Sequence, residues 1–264
     1  MKSKRRLRRF FYPGCLPAAG AILSLPKAES HHLKDILRLR KGDACLVMGQ
    51  QGAEAICQIT DILDDGSVCL KIETVPSKEI DRYPFKIRVF QALAQKGKLD
   101  FLVEKAQELG VDEFCPIETQ YSPLRLSKES RDKVWKRWNK KVVEAAKQSG
   151  SLKLMEIAPF RDFEETFAAI PANEEVTIFH PGPAAVPFSH WVRDLKSDSS
   201  GESACRLNLF FGPEGGFSPQ EIEFAQTSLA GRGNKCTMVS LGKSILRLET
   251  AFLGAIASLR FLYL

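Results

Sequence analysis

The spacing of hydrophobic and polar residues predicts a small β-structure, preceded by a short helix, in the first part of the chain. Runs with a β-type pattern are separated by turn signals and lie at 44–48, 55–62 and 67–75. Ahead of them, Ser30 is placed to cap a short helix. The apolar stripe of that helix would comprise Leu33, Ile36 and Leu37. We therefore expect a small β-barrel or meander here.

The pattern changes after a charged, proline-flanked stretch at 76–84, where we place a domain boundary. Beyond it, β-type runs occur at 86–92, 114–117, 176–179, 207–211 and 235–241. Helical patterns alternate with these runs at 99–109, at 128–148, after Ser218 and at the C-terminus from 251. This alternation is typical of an α/β domain with a largely parallel sheet. The predicted domains are 1–75 and 84–264.

The longest predicted helix, at 128–148, separates apolar from basic residues. One side carries the apolar residues Val134, Trp138, Val142 and Ala145. The other sides carry the basic residues Lys133, Lys136, Arg137, Lys140 and Lys141. Two interpretations stay open: a surface helix with one buried stripe, or a basic surface that follows an RNA backbone.

Composition and charge are those of a soluble globular protein with clustered basic residues. The chain has 264 residues, of which 44% are hydrophobic and 27% are charged, and its formal net charge is +6. Six of the first nine residues are Lys or Arg, and residues 122–153 carry ten basic against three acidic side chains. Such clusters suit contacts with nucleic-acid phosphates, although a plain solvated surface has the same composition.

The sequence gives no support for a metal site, a disulfide framework, secretion or a membrane span. The seven cysteines are scattered without a Cys-x-x-Cys pair and the four histidines form no ligand pattern, so we expect buried, reduced thiols and no metal. The basic N-terminus lacks a continuous apolar stretch after it. The apolar segment from Ala251 to Leu264 is too short to span a bilayer. We therefore expect a cytoplasmic protein.

Two loops near the C-terminus carry the candidate chemistry, and the first is Gly212-Pro-Glu-Gly-Gly216. It follows a predicted buried strand and precedes Ser218-Pro-Gln-Glu221, the pattern of a capping box with proline in the first helical turn. Adjacent glycines let a ligand approach the backbone closely. Because ligands of open α/β sheets bind at the carboxyl ends of strands, we expect a ligand here.

The second loop, 241–251, follows the last predicted strand. It places the apolar Ile245 and Leu246 between Gly242 and the charged Arg247, an arrangement that would suit adenine and a thioether. A Walker A interpretation of Gly242-Lys-Ser fails, because the glycine that this motif requires five residues earlier is Thr237. Each loop alone could be a plain turn, but the two together in this order are more specific.

With these loops the chain resembles the RsmE family, the ribosomal RNA small subunit methyltransferases E of the SPOUT superfamily. The resemblance covers nearly the whole length. It rests on Arg8-Arg-Phe-Phe11, His31-His-Leu-Lys-Asp-Ile-Leu-Arg38, Lys105-Ala-Gln-Glu-Leu-Gly-Val111, Glu144-Ala-Ala-Lys-Gln-Ser-Gly150, Gly212 to Phe217 and Leu241 to Ala251. It implies a PUA-like RNA-binding β-barrel, a trefoil-knotted SPOUT α/β domain and a homodimer. It also implies S-adenosyl-L-methionine as cofactor, and methylation of N3 of one uridine near the decoding site of 16S rRNA in the small ribosomal subunit.

The loop chemistry and the resemblance together give candidate site residues. Cofactor contacts, made mainly by loop backbone, are expected from Phe179, His180, Phe211, Gly212, Glu214, Gly215, Gly216, Leu241, Gly242, Ile245, Leu246, Arg247, Thr250 and Ala251. RNA contacts are expected from Arg8, Arg9, His32, Arg38, Arg40, Lys96, Lys136 and Lys140.

Methyl transfer to uracil N3 requires that the imide proton leave and that the negative charge on the ring be stabilised. We expect Arg247 to supply the stabilising cation. Glu249 would either orient Arg247 or accept the proton, although an unpaired carboxylate beside a developing anion would oppose the reaction. The target base must be unstacked. Phe217 would stack on it, unless Phe217 only packs beneath the following helix.

The chain departs from the family pattern at three basic positions. Tyr121, Ser151 and Ser244 stand where the family usually has arginine. Neighbouring basic residues that could compensate are Arg125, Lys153 and Lys243. Two other functions therefore stay open: a non-catalytic RNA-binding or assembly protein on the same fold, and a SPOUT methyltransferase with another RNA target.

Overall fold

The computed structural model describes residues 7–50, 52–75, 85–198, 205–229 and 232–262. The chain forms two compact units, Met1–Asp81 with Val143–Leu154, and Arg82–Val142 with Met155–Leu264. The stretch at 76–84, where the sequence pattern places a domain boundary, lies outside the described residues.

The first unit is built on a five-stranded sheet. Its strands are β1 (Arg9–Tyr12), β2 (Ile22–Ser24), β3 (Ala44–Gly49), β4 (Glu54–Ile62) and β5 (Val68–Thr74). They lie in the order β1-β3-β4-β5-β2, with β1 parallel to β3 and all other neighbours antiparallel. The three strands that the sequence predicts are confirmed. The two edge strands, β1 and β2, were not predicted, because four and three residues are too few to show an alternation.

The helical segment before β3 differs from the sequence expectation. Helix α1 (Lys27–His31) starts after Pro26, and a π-helical turn, His32–Ile36, continues it. Ser30 is therefore inside the helix, where its hydroxyl donates to the Leu25 carbonyl oxygen, and the predicted cap is wrong. Because a π-turn has a longer repeat than an α-helix, Leu33 is buried while Ile36 is 63% exposed, so the predicted stripe is wrong at Ile36.

A buried ion pair accounts for the grouping of Val143–Leu154 with the first unit, which the sequence did not reveal. Lys147, only 8% exposed, donates to Glu29 at 2.8 Å. The same ammonium also pairs with the exposed Glu144 at 2.9 Å. The second oxygen of Glu29, Oε2, is buried without a hydrogen-bond partner among the described residues. Glu29 therefore depends on Lys147 for the compensation of its charge.

The second unit contains an eight-stranded sheet in which every pairing is parallel. Its strands are β6 (Phe85–Ala92), β7 (Glu113–Glu118), β8 (Glu156–Ile157), β9 (Arg161–Asp162), β10 (Glu175–Phe179), β11 (Val186–Pro187), β12 (Cys205–Phe211) and β13 (Lys235–Ser240). Their order is β11-β13-β10-β12-β6-β7-β8, and β9 also pairs with β7. The predicted parallel α/β sheet is confirmed.

Six further helices follow the strands: α2 (Lys98–Glu108), α3 (Lys128–Ser149), α4 (Phe163–Ala168), α5 (Phe188–Asp198), α6 (Pro219–Ser228) and α7 (Leu248–Leu262). Side chains of β12 pack on both faces of the sheet, since neighbouring residues of a strand point to opposite sides. Phe210 stacks on Phe167 of α4 with ring centroids 4.7 Å apart, and Phe211 contacts Phe252 of α7 at 5.1 Å. Burial on both faces explains why the last three residues of β12, Leu209, Phe210 and Phe211, are all hydrophobic.

The long basic helix, α3, has the predicted buried stripe. Trp138 and Val142 are 1% and 2% exposed, and the Trp138 indole N–H donates to Asp100 at 2.6 Å. Helices α4 and α5 were not predicted, and α7 begins at Leu248, three residues before the expected start. The described cysteines are free, but Cys15 is exposed, so the expectation of buried thiols is wrong there. None of the described helices has the length and apolar character needed to cross a membrane.

The Lys147 pairs give a stability prediction. Lys147→Met leaves Glu29 as an uncompensated buried charge, so we expect the free energy of unfolding of the first unit to fall by about 3 kcal/mol. Glu144→Gln is the matched control, since it removes only the exposed partner and should cost less than about 1 kcal/mol. Urea unfolding followed by circular dichroism measures both; equal, small losses would contradict the account.

Candidate active site

The first glycine loop, 212–216, is a closed turn fixed at its C-terminal end by a helix cap. The Gly216 amide donates to the Pro213 carbonyl oxygen at 2.9 Å, and Gly216 has a φ of +73°, which favours glycine. Ser218 and Glu221 form the predicted capping box: the Ser218 hydroxyl accepts from the Glu221 amide at 3.2 Å, and the Glu221 carboxylate accepts from the Ser218 amide at 2.8 Å. The loop therefore enters α6 with a fixed geometry.

One neighbouring strand end contacts the same loop, and a second contacts the helix that follows it. At the end of β6, the buried amide of Gln91 donates towards the carbonyl oxygens of Phe211 and Gly212, each at 3.4 Å. After β7, the backbone amide of Gln120 donates to Glu221 at 2.7 Å. An added Cβ at Gly212 would lie 3.1 Å from the Gly216 backbone, so the loop closes on itself too tightly for a side chain there.

The second loop follows β13 and leads into α7. The Ser240 hydroxyl donates to the Gly242 carbonyl oxygen at 2.9 Å and accepts from the Gly242 amide at 3.3 Å. Gly242 has a φ of +137°. Beyond it, Ile245 is 91% exposed and Leu246 is 39% exposed, although both are apolar. This loop therefore exposes two apolar side chains and a glycine backbone to solvent.

Space beside the glycines is open. An added Cβ at Gly216 or at Gly242 would meet no atom within 4 Å, in contrast to Gly212. A ligand can therefore reach the backbone of both loops. Both loops follow the carboxyl ends of parallel strands, β12 and β13, as expected for ligand sites of such sheets.

A lysine that the sequence reasoning missed connects the two loops. The ammonium of Lys98, the first residue of α2, lies 2.8 Å from the Glu214 carboxylate of the first loop. It also lies 3.9 Å from the carboxylate of Glu249, in the first turn of α7. Burial alone would raise the pKa of Glu214. Hydrogen bonds from Lys98 and from backbone amides, including that of Gln95, lower it by a larger amount, so the pKa is below its usual value. Glu214 is therefore an anion held by Lys98.

The two predicted catalytic residues are not paired with each other. The Arg247 side chain is exposed and makes no hydrogen bond or ion pair with the residues that the structure describes. Glu249 turns its Oε1 towards Lys98, and its Oε2 is buried with no hydrogen-bond partner in the described part of the chain. The expectation that Glu249 orients Arg247 is therefore not met, because the cation that faces Glu249 is Lys98.

The aromatic residues near the loops divide into core and surface. Phe179 and Phe211 are 9% and 2% exposed and stack on each other at 4.6 Å, so only their backbone is available to a ligand. Phe217 is 4% exposed and packs against Phe163, so the proposal that it stacks on a base is wrong. Tyr121 is 45% exposed, and its Cβ would lie 3.2 Å from a Cβ added at Gly215. The exposed aromatic ring beside the first loop is therefore Tyr121.

The remaining predicted cofactor residues surround the second loop. The His180 amide donates to the Val239 carbonyl oxygen at 3.1 Å, and burial lowers the pKa of its imidazole. Leu241 is half-buried and Thr250 is exposed, whereas the Ala251 amide donates to the Arg247 carbonyl oxygen at 2.9 Å in the first turn of α7.

Most of the predicted RNA-binding residues are exposed, with Arg9 as the exception. The exposed side chains are those of Arg8, Arg38, Arg40, Lys96, Lys136 and Lys140. His32 is half-buried, with its ring 6.0 Å from that of Phe10. Arg9 is only 15% exposed and donates through Nε to the buried Glu54 at 2.5 Å. This ion pair lies within the first unit and gives Arg9 a structural role, and the RNA contact at Arg9 stays a prediction.

Two family models match the chain. An RNA methyltransferase domain matches residues 81–260, and an RNA methyltransferase PUA domain matches residues 25–73. The first of these matches covers more than half of the chain.

Curated relatives and a solved structure agree with the family models. Ribosomal RNA small subunit methyltransferase E of Bacillus subtilis is 28% identical over 243 residues, which cover 90% of this chain and 89% of the relative. The same enzyme of Synechocystis is 30% identical over 248 residues, covering 92% of this chain and 74% of the relative. A crystal structure of ribosomal RNA small subunit methyltransferase E from Neisseria gonorrhoeae, bound to S-adenosyl methionine, is 27% identical with a TM-score of 0.81, and the match covers 98% of each chain.

The position of the candidate site agrees with the family match. The glycine loops, the capping box and Arg247 all lie within the matched methyltransferase domain. This chain belongs to the RNA methyltransferase family and, within it, to the ribosomal RNA small subunit methyltransferases E.

Proposed function

We propose that this protein transfers a methyl group from S-adenosylmethionine to N3 of one uridine of 16S rRNA, near the decoding site of the small ribosomal subunit. The observation that carries the proposal is the second loop, where Arg247, a cation with no ion-pair partner among the described residues, follows an open glycine backbone and an exposed apolar surface. The solved relative that is bound to S-adenosyl methionine supports the choice of cofactor.

The backbone of the two loops fits the cofactor. A Cβ added at Gly216 or Gly242 would meet no atom within 4 Å, so a ligand can approach the backbone there, and the exposed Ile245 and Leu246 offer an adenine ring apolar contacts. When bound, S-adenosylmethionine would supply an electrophilic methyl group on a sulfonium, which the N3 electron pair can take with release of a neutral thioether. The chain must therefore orient the base and manage the charge and proton at N3.

Arg247 and Glu249 have distinct tasks in this proposal. Arg247 stabilises the negative charge that spreads over O2 and O4 of uracil as the N3 proton leaves. Binding of the base displaces the side chains that bury Glu249 Oε2, the oxygen that lacks a partner among the described residues; Oε2 then accepts that proton and releases it to solvent when the product leaves. The unpaired state of Arg247 supports its task, since an intramolecular partner would compete with the base.

RNA binding by both parts of the chain belongs to the same proposal. Residues 1–75 would act as the PUA-like RNA-binding domain and residues 84–264 as the methyltransferase domain, with the exposed basic residues contacting phosphates. The proposal takes three further features from the family resemblance: a trefoil knot, a homodimer and the assembled small subunit as substrate.

Methyl-labelled S-adenosylmethionine and small subunits that lack the modification test the function. We expect the label at N3 of one uridine near the decoding site, located by nuclease digestion and mass spectrometry. Label in tRNA or elsewhere in rRNA would support a different RNA target. RNA binding without any label would support the non-catalytic assembly protein, for which the missing family arginines at Tyr121, Ser151 and Ser244 are the argument.

Replacement of Arg247 tests the charge-stabilising role. Arg247→Ala should lower kcat by roughly 100-fold or more, the effect of removing one oxyanion-hole donor, while the Kd for S-adenosylmethionine changes by no more than a few-fold. Arg193→Ala, which removes an exposed arginine of α5, is the matched control and should retain wild-type turnover. Wild-type turnover in Arg247→Ala would refute the role.

Tyr121 is expected to stack on the extruded base, because it is the exposed aromatic beside the first loop. Stacking of a base on an aromatic ring contributes about 1–3 kcal/mol, so Tyr121→Ala should raise KM for the RNA roughly tenfold. Tyr121→Phe keeps the ring and should retain the wild-type KM. Steady-state methylation assays with varied RNA measure both; an unchanged KM in Tyr121→Ala would show that the ring does not contact the base.

A further inference from the structure

The proposed mechanism leaves a problem at Glu249. A carboxylate beside the uracil anion would oppose proton loss from N3 unless a cation offsets its charge. In this mechanism Arg247 is the counter-charge of the uracil anion, and it forms no ion pair with Glu249 among the described residues. Another group must therefore neutralise and orient Glu249.

Lys98 is in the position to do this. Its ammonium lies 3.9 Å from Glu249 Oε1 and 2.8 Å from Glu214 Oε1, and its side chain is 27% exposed. The Gln95 amide also donates to Glu214 at 3.2 Å, so the start of α2 is tied to the first loop at two points. Lys98 is thus held in place on one side by Glu214 and presents its charge to Glu249 on the other.

The two carboxylate oxygens of Glu249 have different surroundings. Oε1 faces Lys98, whereas Oε2 is buried and lacks a hydrogen-bond partner in the described part of the chain. A buried oxygen without a donor is unfavourable, and a bound ligand that donates a proton to it removes the penalty. The first turn of α7 adds a favourable helix dipole for the anion.

We propose that Lys98 is a positioning residue for the methyl transfer: it neutralises Glu249 and orients it so that Oε2 accepts the N3 proton, leaving Arg247 free for the uracil anion. The charged groups around Glu249 are then Lys98 from α2, Glu214 from the first loop and Arg247 from the second. This inference rests on the proposed function, because it assumes a proton acceptor for an imide. It adds a residue that no loop motif contains.

Replacement of Lys98 tests the inference. Lys98→Met should lower kcat by roughly 10- to 100-fold, the effect of misplacing a reacting group, with KM for RNA changed by no more than a few-fold. Lys98→Arg keeps the charge and should restore most of the turnover. Lys105→Met is the matched control, because Lys105 is an ion-paired lysine of the same helix that contacts Glu104 and Glu108. Lys98→Gln is used if the Met variant does not fold.

A double-mutant cycle separates positioning from loop anchoring. In a Glu249→Gln background, Lys98→Met should cost almost nothing more, while in a Glu214→Gln background it should still cost most of its single-variant effect. The reverse pattern would show that Lys98 only anchors the first loop and would overturn the inference. The loss in Lys98→Met should also shrink as the pH rises above neutral, because the imide then ionises without a base.

Two readouts that do not depend on turnover complete the test. Isothermal titration should give Lys98→Met a Kd for S-adenosylmethionine within a few-fold of wild type, and its melting temperature should match that of Lys105→Met. A large loss of cofactor binding would overturn the inference in favour of anchoring. If the proposed function is wrong, the wild-type protein itself will methylate no uridine. If only the inference about Lys98 is wrong, the wild-type protein will be active and Lys98→Met will keep wild-type turnover.

Discussion

A glycine loop can present its backbone to a ligand only if the surrounding protein restricts it, because glycine otherwise loses the most conformational freedom on ordering. Here the restriction comes from the parallel sheet of the second unit. Gln91 at the end of β6 and Lys98 at the start of α2 contact the 212–216 loop, and the Gln120 amide after β7 binds Glu221 of the helix that follows it. The capping box of α6 completes the fixation. Everything proposed for the site depends on this loop being rigid before the ligand arrives.

The second consequence of the same arrangement is a separation of charges. Lys98 satisfies Glu214 and faces Glu249, and Arg247 remains without an intramolecular partner among the described residues. Such a division is useful for a reaction in which an anion develops next to a proton acceptor, since each group then has its own counter-charge. In the first unit the cations are instead paired within the protein: Arg9 with Glu54 and Lys147 with Glu29.

Much of the fold was predictable because it depends on local periodicity. Two features depend only on residues that are close together in sequence, and both are confirmed: the stripe of Trp138 and Val142 in α3, and the capping box at Ser218. The π-helical turn that exposes Ile36 was not predictable from the 3.6-residue period of an α-helix. The glycine loops were identified by composition, but not the side chains that hold them.

What sequence reasoning missed at the site are contacts between distant segments. Gln95 and Glu214 are joined by a hydrogen bond although they are 119 residues apart in sequence. Neither Lys98 nor Tyr121 belongs to a sequence motif that indicates its role. The sequence left two roles open for Phe217, because an aromatic beside a glycine loop is equally consistent with burial and with stacking; the packing against Phe163 decides between them. The pairing of Arg9 with Glu54 likewise cannot be predicted from the number of charges in a segment.

The central claim is that the backbone of the two loops holds the cofactor with its reactive methyl group towards Arg247. A crystal structure of this protein with S-adenosylmethionine tests it most directly. The account predicts main-chain hydrogen bonds from the 212–216 and 241–246 loops to the adenosine, with Glu249 Oε2 and the Arg247 guanidinium lining the space in front of the methyl group. A cofactor bound away from these loops, or bound with its methyl group directed away from Arg247, would contradict it.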